Sequence, residues 1–166
     1  MPFIESRPRN YAWLNKILPG VTRLFDNKKI IVAKTNKEKI YLLSKEVYNV
    51  YKKMKKQPYS VGFFFAEISD VVRFSLGVAD KYTKLRKKTV VVTKFGEEKF
   101  LYKRNLMKKH IVKFTDDIKE GDMVVVVNQK GDALGFGKAL FSAKDVSRKS
   151  GALVKNISDK GFFVKH

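Results

Sequence analysis

The residues best placed to do chemistry stand in GDALGFGKAL, residues 131–140, where three glycines precede Lys138. Glycine-rich turns ending in lysine can cradle a nucleotide phosphate, because bare backbone N–H groups converge on the anion and the ammonium balances its charge. The spacing rules that chemistry out. A P-loop needs four residues between its first glycine and its Gly-Lys-Ser/Thr, after a strand and before a helix. Here five residues separate Gly131 from Gly137, Ala139 stands where a hydroxyl would hold magnesium, and the pattern continues as a strand. A dinucleotide fingerprint fails at Leu140, which takes the place of its third glycine. Gly131 suits the positive φ of a hairpin turn. Gly135 and Gly137, alternating with Leu134, Phe136 and Lys138, leave bare backbone on one strand face, which permits a bend or the close approach of a second backbone.

Other catalytic constellations are equally thin. The two histidines, His110 and His166, have no partner at metal-ligand spacing, and cysteine is absent. The carboxylate pairs Glu97-Glu98 and Asp116-Asp117 are adjacent in turn contexts, whereas acid–base work needs two carboxyl groups facing each other across a cleft. No cofactor, metal or catalytic residue is expected.

The charge balance is more informative. The 166 residues hold 36 Lys+Arg against 16 Asp+Glu, a net +20. Such an excess repels itself in a compact chain and favours an anionic partner, nucleic acid first and a membrane surface second. The excess is not a tail: residues 1–86 have 18 basic and 7 acidic residues, and residues 87–166 have 18 and 9. No apolar run reaches the roughly 18 residues of a membrane span. Arg7, Arg9, Asn10, Asn15 and Lys16 interrupt the N-terminal stretch where a signal-peptide core would lie. These features point to an intracellular, cytoplasmic protein, with 44% hydrophobic residues to build its cores.

The elements that must position these residues read as two domains, 1–86 and 87–166, joined at the basic run Lys84–Lys88. In the first, Asn10–Leu18 has helical spacing (Tyr11, Leu14, Ile17, Leu18) and stops at Pro19-Gly20. Lys29–Ala33 and Lys39–Leu43 form a hairpin. Ser44 caps a helix over Lys45–Lys56 whose stripe of Val47, Val50, Tyr51 and Met54 is expected to face the core, leaving Lys52, Lys53, Lys55 and Lys56 solvated. Ser60–Ile68 and Val72–Val78 read as strands, the first carrying Phe63, Phe64 and Phe65, and Ala79–Leu85 as a short helix. Trp13 and these phenylalanines are read as packing residues. In the second half, strands are expected at Thr89–Thr93, Ile111–Phe114, Met123–Val127, Ala133–Phe141, Ala152–Asn156 and Gly161–Val164. A short helix is expected at Phe100–Lys108, and Ser158-Asp159-Lys160 reads as a turn. That many short strands in so few residues suggest a small barrel, and the whole is α+β.

The strings FLYKRNLMKKHIVKF, EGDMVVVVNQKGDALGFGKAL and SRKSGALVKNISDKGFFVKH resemble a PUA domain over roughly residues 87–166. IYLLSKEVYNVYKKM followed by KQPYSVGFFFAEI is similar to the N-terminal domain of the Nip-seven family, ribosome-biogenesis factors of archaea and eukaryotes that join such a domain to a C-terminal PUA domain. The resemblance implies an archaeal member that binds RNA without catalysis and acts in large-subunit rRNA processing. It also implies contacts with assembly proteins through the first domain.

The resemblance directs attention to Arg148, Lys149, Lys155 and Lys160 as RNA contacts, and then to Lys103, Arg104, Lys108 and Lys109 around the short helix. Arginine grips phosphate bidentately and lysine acts as a point charge, so the expected mechanism is capture of the phosphate backbone in single-stranded or irregular RNA. An accessory subunit, or an inactive relative, of an RNA-modifying enzyme is the alternative. A membrane role would require an exposed amphipathic helix with large apolar residues, and none is expected.

Overall fold

The computed structural model describes residues 3–161. They divide into two compact units, Met1–Asn15 with Gly20–Val78, and Lys16–Pro19 with Ala79–His166.

The first unit is built on a five-stranded antiparallel sheet in sequential order: β1 (Phe3–Ser6), β2 (Lys29–Lys34), β3 (Glu38–Leu43), β4 (Phe63–Ile68) and β5 (Val72–Phe74). The expected β2–β3 hairpin forms in register from Lys29↔Leu43 to Lys34↔Glu38. Ile30, Ile31, Val32 and Ala33 are all buried, because both sheet faces are covered. On one face Ile31, Ala33, Tyr41, Leu43 and Val61 make a cluster. Phe65, buried on β4, packs against Phe25 at a tilt and edge-on against Phe74 (ring centroids 4.9 and 5.6 Å). The phenylalanine run therefore splits by alternation: Phe65 is core, while Phe64 stands partly in solvent.

Three local expectations change in this unit. The segment expected to be a helix over Asn10–Leu18 is a 3₁₀ helix at Pro8–Lys16, followed by a second at Val21–Phe25. The Asn15 side chain accepts from the backbone N–H groups of Gly20 and Thr22, and Gly20 takes φ 84°, so the chain turns before an α-helix can propagate. The strand expected to reach Val78 stops at Phe74, and α2 (Leu76–Tyr82) begins earlier. The third change concerns α1 (Lys45–Lys53). Ser44 caps it as expected, its hydroxyl accepting from Val47 N–H (3.3 Å). The apolar stripe does not face the core: no residue of α1 is buried, and the helix is held through half-buried Tyr48 and Tyr51.

The second unit is a six-stranded, barrel-like sheet in the order β7 (Leu106–Met107), β11 (Ala152–Asp159), β10 (Ala133–Ala139), β9 (Met123–Val127), β6 (Thr89–Val92), β8 (Ile111–Phe114). All pairs are antiparallel except β6–β9. Val90, Val92, Phe100, Leu106, Ile118, Val124, Val126, Leu134 and Val154 fill its interior. The buried Lys88 ammonium bonds the Asp117 carbonyl and the Asp122 carboxylate (2.5 Å), tying the start of β6 to the Gly121-Asp122 turn.

Here too some boundaries move. The helix expected at Phe100–Lys108 lies at Lys94–Leu101 (α3), because Thr93 is its N-cap, accepting from Gly96 N–H (3.0 Å). Lys103, in left-handed backbone (φ 61°), ends that turn, and Leu106-Met107 is free to pair as β7. Ser158 and Asp159, expected in a turn, continue β11 past a bulge between Phe136 and Gly137. The strand expected at Gly161–Val164 falls, apart from Gly161, outside the described residues.

Candidate nucleic-acid interface

The glycines of β10 decide how closely β11 can approach. A Cβ on Gly135 (φ 153°) would lie 2.0 Å from the Ser158 carbonyl oxygen, and one on Gly137 would lie 2.4 Å from Val154 Cγ1. Gly131 (φ 90°) closes the β9–β10 hairpin, where the Asn128 side chain accepts from Lys130 and Asp132 N–H. The stretch that could have held a nucleotide is a strand pressed against its neighbour.

That contact fixes the register of the outward side chains. Lys138 pairs with Lys155 across β10–β11, and both are exposed. Paired residues of antiparallel strands share a face with Cβ atoms about 5 Å apart, so like charges there repel and favour an anion between or above them. The β10–β11 connection at the same end is a 3₁₀ turn, Ala143–Arg148, which places Arg148 and Lys149 in solvent. The Lys149 ammonium lies over the Phe141 ring at 5.1 Å. Lys108 donates to the Ser147 carbonyl (2.6 Å), bringing the Lys108–His110 turn beside Arg148 with Lys109 exposed. On the β7 side the Asn156 N–H donates to Asn105 Oδ1 (3.0 Å), so the exposed Lys103-Arg104 segment borders β11 next to Lys155.

The structure thus gathers Arg148, Lys149, Lys155, Lys108 and Lys109 around one end of the β10–β11 ribbon, with Lys103 and Arg104 along its edge. Lys160 is not brought there. It follows the opposite end of β11 and pairs with Asp80 (2.5 Å).

Four further side chains lie on or beside this surface that the sequence does not single out as RNA contacts. Lys138 is exposed on β10 although Leu134 and Phe136, which strict alternation would set on the same face, are buried; the β10–β11 register shifts between Phe136 and Gly137, so alternation alone does not place it. Phe95, Lys99 and Tyr102 share an exposed flank of α3 at i, i+4 and i+7, with the Lys99 ammonium 4.8 Å from the Phe95 ring centroid. They become visible only when the helix is placed at Lys94–Leu101. The buried His110 lies under this helix. Its Nδ1 accepts from Met107 N–H (3.0 Å), and among the described residues Nε2 has no hydrogen-bond partner. Burial, with Lys109 and Lys99 nearby, lowers its pKa below the usual histidine value and keeps the ring neutral.

Among the described residues no cluster of three His, Cys, Asp or Glu side chains could hold a metal ion. No helix among them is long and apolar enough to cross a membrane. The carboxylates near the barrel are engaged in structure: Asp122 with Lys88 and the Lys119 N–H, Asp117 with the Lys88 N–H, and Glu97 with Asn128.

A six-stranded PUA-type barrel defines the class of the second unit. The UPF0113 PUA domain family model matches residues 88–166. A UPF0113 protein of Archaeoglobus fulgidus is 27% identical over the whole chain and 96% of its own length. The 60S ribosome subunit biogenesis protein nip7 of Schizosaccharomyces pombe is 25% identical over 68% of this chain and 64% of its own length. A hypothetical protein of Pyrococcus horikoshii shares the fold over 99% of this chain and 100% of its own (TM-score 0.66, 23% identity). A conserved PUA domain protein of Thermoplasma acidophilum shares it over 96% and 95% (TM-score 0.62, 18% identity). The second unit thus matches the UPF0113 PUA domain, and the chain is similar along its length to an archaeal UPF0113 protein and over part of it to a nip7 protein.

Proposed function

We infer that this protein is a non-catalytic RNA-binding factor of ribosome biogenesis, working in the cytoplasm on large-subunit pre-rRNA. Its PUA unit holds the RNA. The carrying observation is the convergence of Arg148, Lys149, Lys155 and Lys138 at one end of the β10–β11 ribbon, with Lys138 and Lys155 in like-charged register. Proteins tolerate such juxtaposition where phosphate neutralises it. Lys108 and Lys109 extend the surface on one side, and Lys103 and Arg104 on the other. Lys160 contributes at the margin, through whatever charge its pairing with Asp80 leaves. The exposed Phe95 ring, with the Lys99 ammonium over it, adds an aromatic beside a cation where an unpaired base could stack, which suits irregular RNA better than duplex. The similarity to a 60S biogenesis protein supports the ribosomal assignment, within which the first unit would contact assembly proteins.

The test is crosslinking of the protein to RNA in its own cells, with sequencing of the RNA and mapping of the crosslinked residues. Large-subunit precursor reads and adducts on residues 138–155 support the reading. Adducts confined to residues outside the PUA unit, or reads dominated by transfer RNA, refute it.

A further inference from the structure

The first unit carries a feature that RNA binding does not use. Helix α1 has its apolar stripe in solvent: Val47, Val50 and Met54 are 44%, 64% and 48% exposed. The helix is well anchored. Its N-cap is formed, the Tyr48 hydroxyl donates to Glu5 on β1, and Tyr51 packs edge-on to Phe3 (6.2 Å). The Lys29 and Lys52 ammonium groups both lie over the Tyr48 ring (5.2 and 5.6 Å). A helix pinned by its tyrosine side therefore presents Val47 and Val50 at i and i+3, the spacing with which one helix packs against another, and Met54, the C-cap residue in extended backbone, adds an exposed apolar side chain just past the last turn. The surroundings are cationic. Between positions 45 and 56 lie Lys45, Lys52, Lys53, Lys55 and Lys56 against a single acid, Glu46.

We propose that this face of α1 docks an acidic amphipathic segment of a partner protein, apolar side chains on Val47, Val50 and Met54 and carboxylates toward the lysine rim. Charge selects this occupant. A second copy of the chain would oppose two lysine-ringed faces. Nucleic acid would answer the lysines and leave the aliphatic row without a base to stack on it, since bases stack on rings. A bilayer is answered by large apolar residues such as Trp, Phe and Leu along a longer helix, and α1 offers two valines on nine residues, with Met54 at its C-cap. Methionine and valine suit the packing of a partner helix, the thioether adapting to its contours. The proposal deepens the assembly-protein role suggested for the first unit and is independent of the RNA surface.

The experiment titrates the full-length protein with a labelled synthetic peptide bearing leucines at i, i+3, i+4 and i+7 on a glutamate background, beside a peptide of the same composition with the leucines scattered. Saturable binding of the first peptide alone is expected, with amide shifts centred on Val47, Val50 and Met54. Val50→Glu and Met54→Glu should each weaken it about tenfold or more, and Val50→Leu should preserve it. These positions are exposed, and unchanged thermal unfolding confirms that the variants fold. Equal binding of both peptides, or insensitivity to both glutamate variants, overturns the proposal. So does binding of phosphatidylserine vesicles or single-stranded RNA that Val50→Glu abolishes. Affinity for RNA, measured on the same variants, should not move. Its loss in the unmodified protein would refute the RNA reading and leave this one standing.

Discussion

Lys138 faces Lys155 across the β10–β11 ladder, in register and with both side chains in solvent. Replacing either by alanine relieves repulsion worth a few tenths of a kcal/mol and removes one phosphate contact. Each variant should therefore fold at least as stably as the parent while binding single-stranded RNA more weakly. The slope of log K against log salt should fall by about one per lysine. Fluorescence anisotropy between about 50 and 200 mM salt gives that slope. An unchanged slope in both variants would remove this pair from the interface.

Lys160 offers the internal comparison. Because its ammonium is 2.5 Å from Asp80 at the far end of β11, Lys160→Ala should cost less RNA affinity than Lys155→Ala or Arg148→Ala. The same titration ranks the three. A loss at Lys160 equal to that at Arg148 would place the RNA along the whole of β11.

The glycines of β10 should matter for stability and not for nucleotide chemistry. Gly137→Val drives a branched side chain into Val154, and Gly135→Ala meets the Ser158 carbonyl in a backbone conformation that disfavours any Cβ. Each should lower unfolding free energy by about 2–4 kcal/mol, while Lys138→Ala stays within about 0.5 kcal/mol. Urea denaturation measures these differences. Titration of the unmodified protein with magnesium-ATP should show no saturable binding. Micromolar binding lost in Lys138→Ala would restore the phosphate-loop reading.

The buried His110 should make stability pH-dependent. Its folded pKa lies below the unfolded value of about 6.5. The unfolded chain therefore binds the proton first, and stability falls as pH drops through that value toward the folded pKa. Unfolding midpoints at pH 7.5 and 5.5 should differ in that direction. His110→Gln, which can still accept from Met107 N–H, should flatten the difference. The carboxylates Glu5 and Glu67 are held low by Tyr48 with Lys29, and by Lys37, so they titrate below this window and do not confuse it.

Much of the architecture was legible because it rests on local pattern. Alternating or continuous β-branched runs gave the β2–β3 hairpin and the valine strands β6 and β9. Ser44 marked the start of α1, and the order helix, Gly-Asp turn, valine strand, glycine strand identified the PUA barrel. The position of α3 is equally local, yet the expected Phe100–Lys108 misses it: Thr93 caps the helix nearly two turns before Phe100. The Asn15 side chain likewise cut a good helical pattern into two 3₁₀ turns by bonding backbone groups beyond Pro19.

Sequence alone determined the charge, the absence of a nucleotide motif and the two kinds of unit, because composition and periodicity act through neighbours in the chain. Tertiary structure decided which lysines act together. Lys138 meets Lys155 only through strand register, set by two glycines that let β11 close in. Lys108 reaches the Arg148 turn through a carbonyl 39 residues away in sequence, and Lys160 is drawn off by Asp80, 80 residues before it. The stripe on α1 makes the same point in reverse. Periodicity shows that a helix has an apolar side, but whether that side is buried depends on which residues the sheet engages. Here the sheet takes Tyr48 and Tyr51, and Val47, Val50 and Met54 are left facing water.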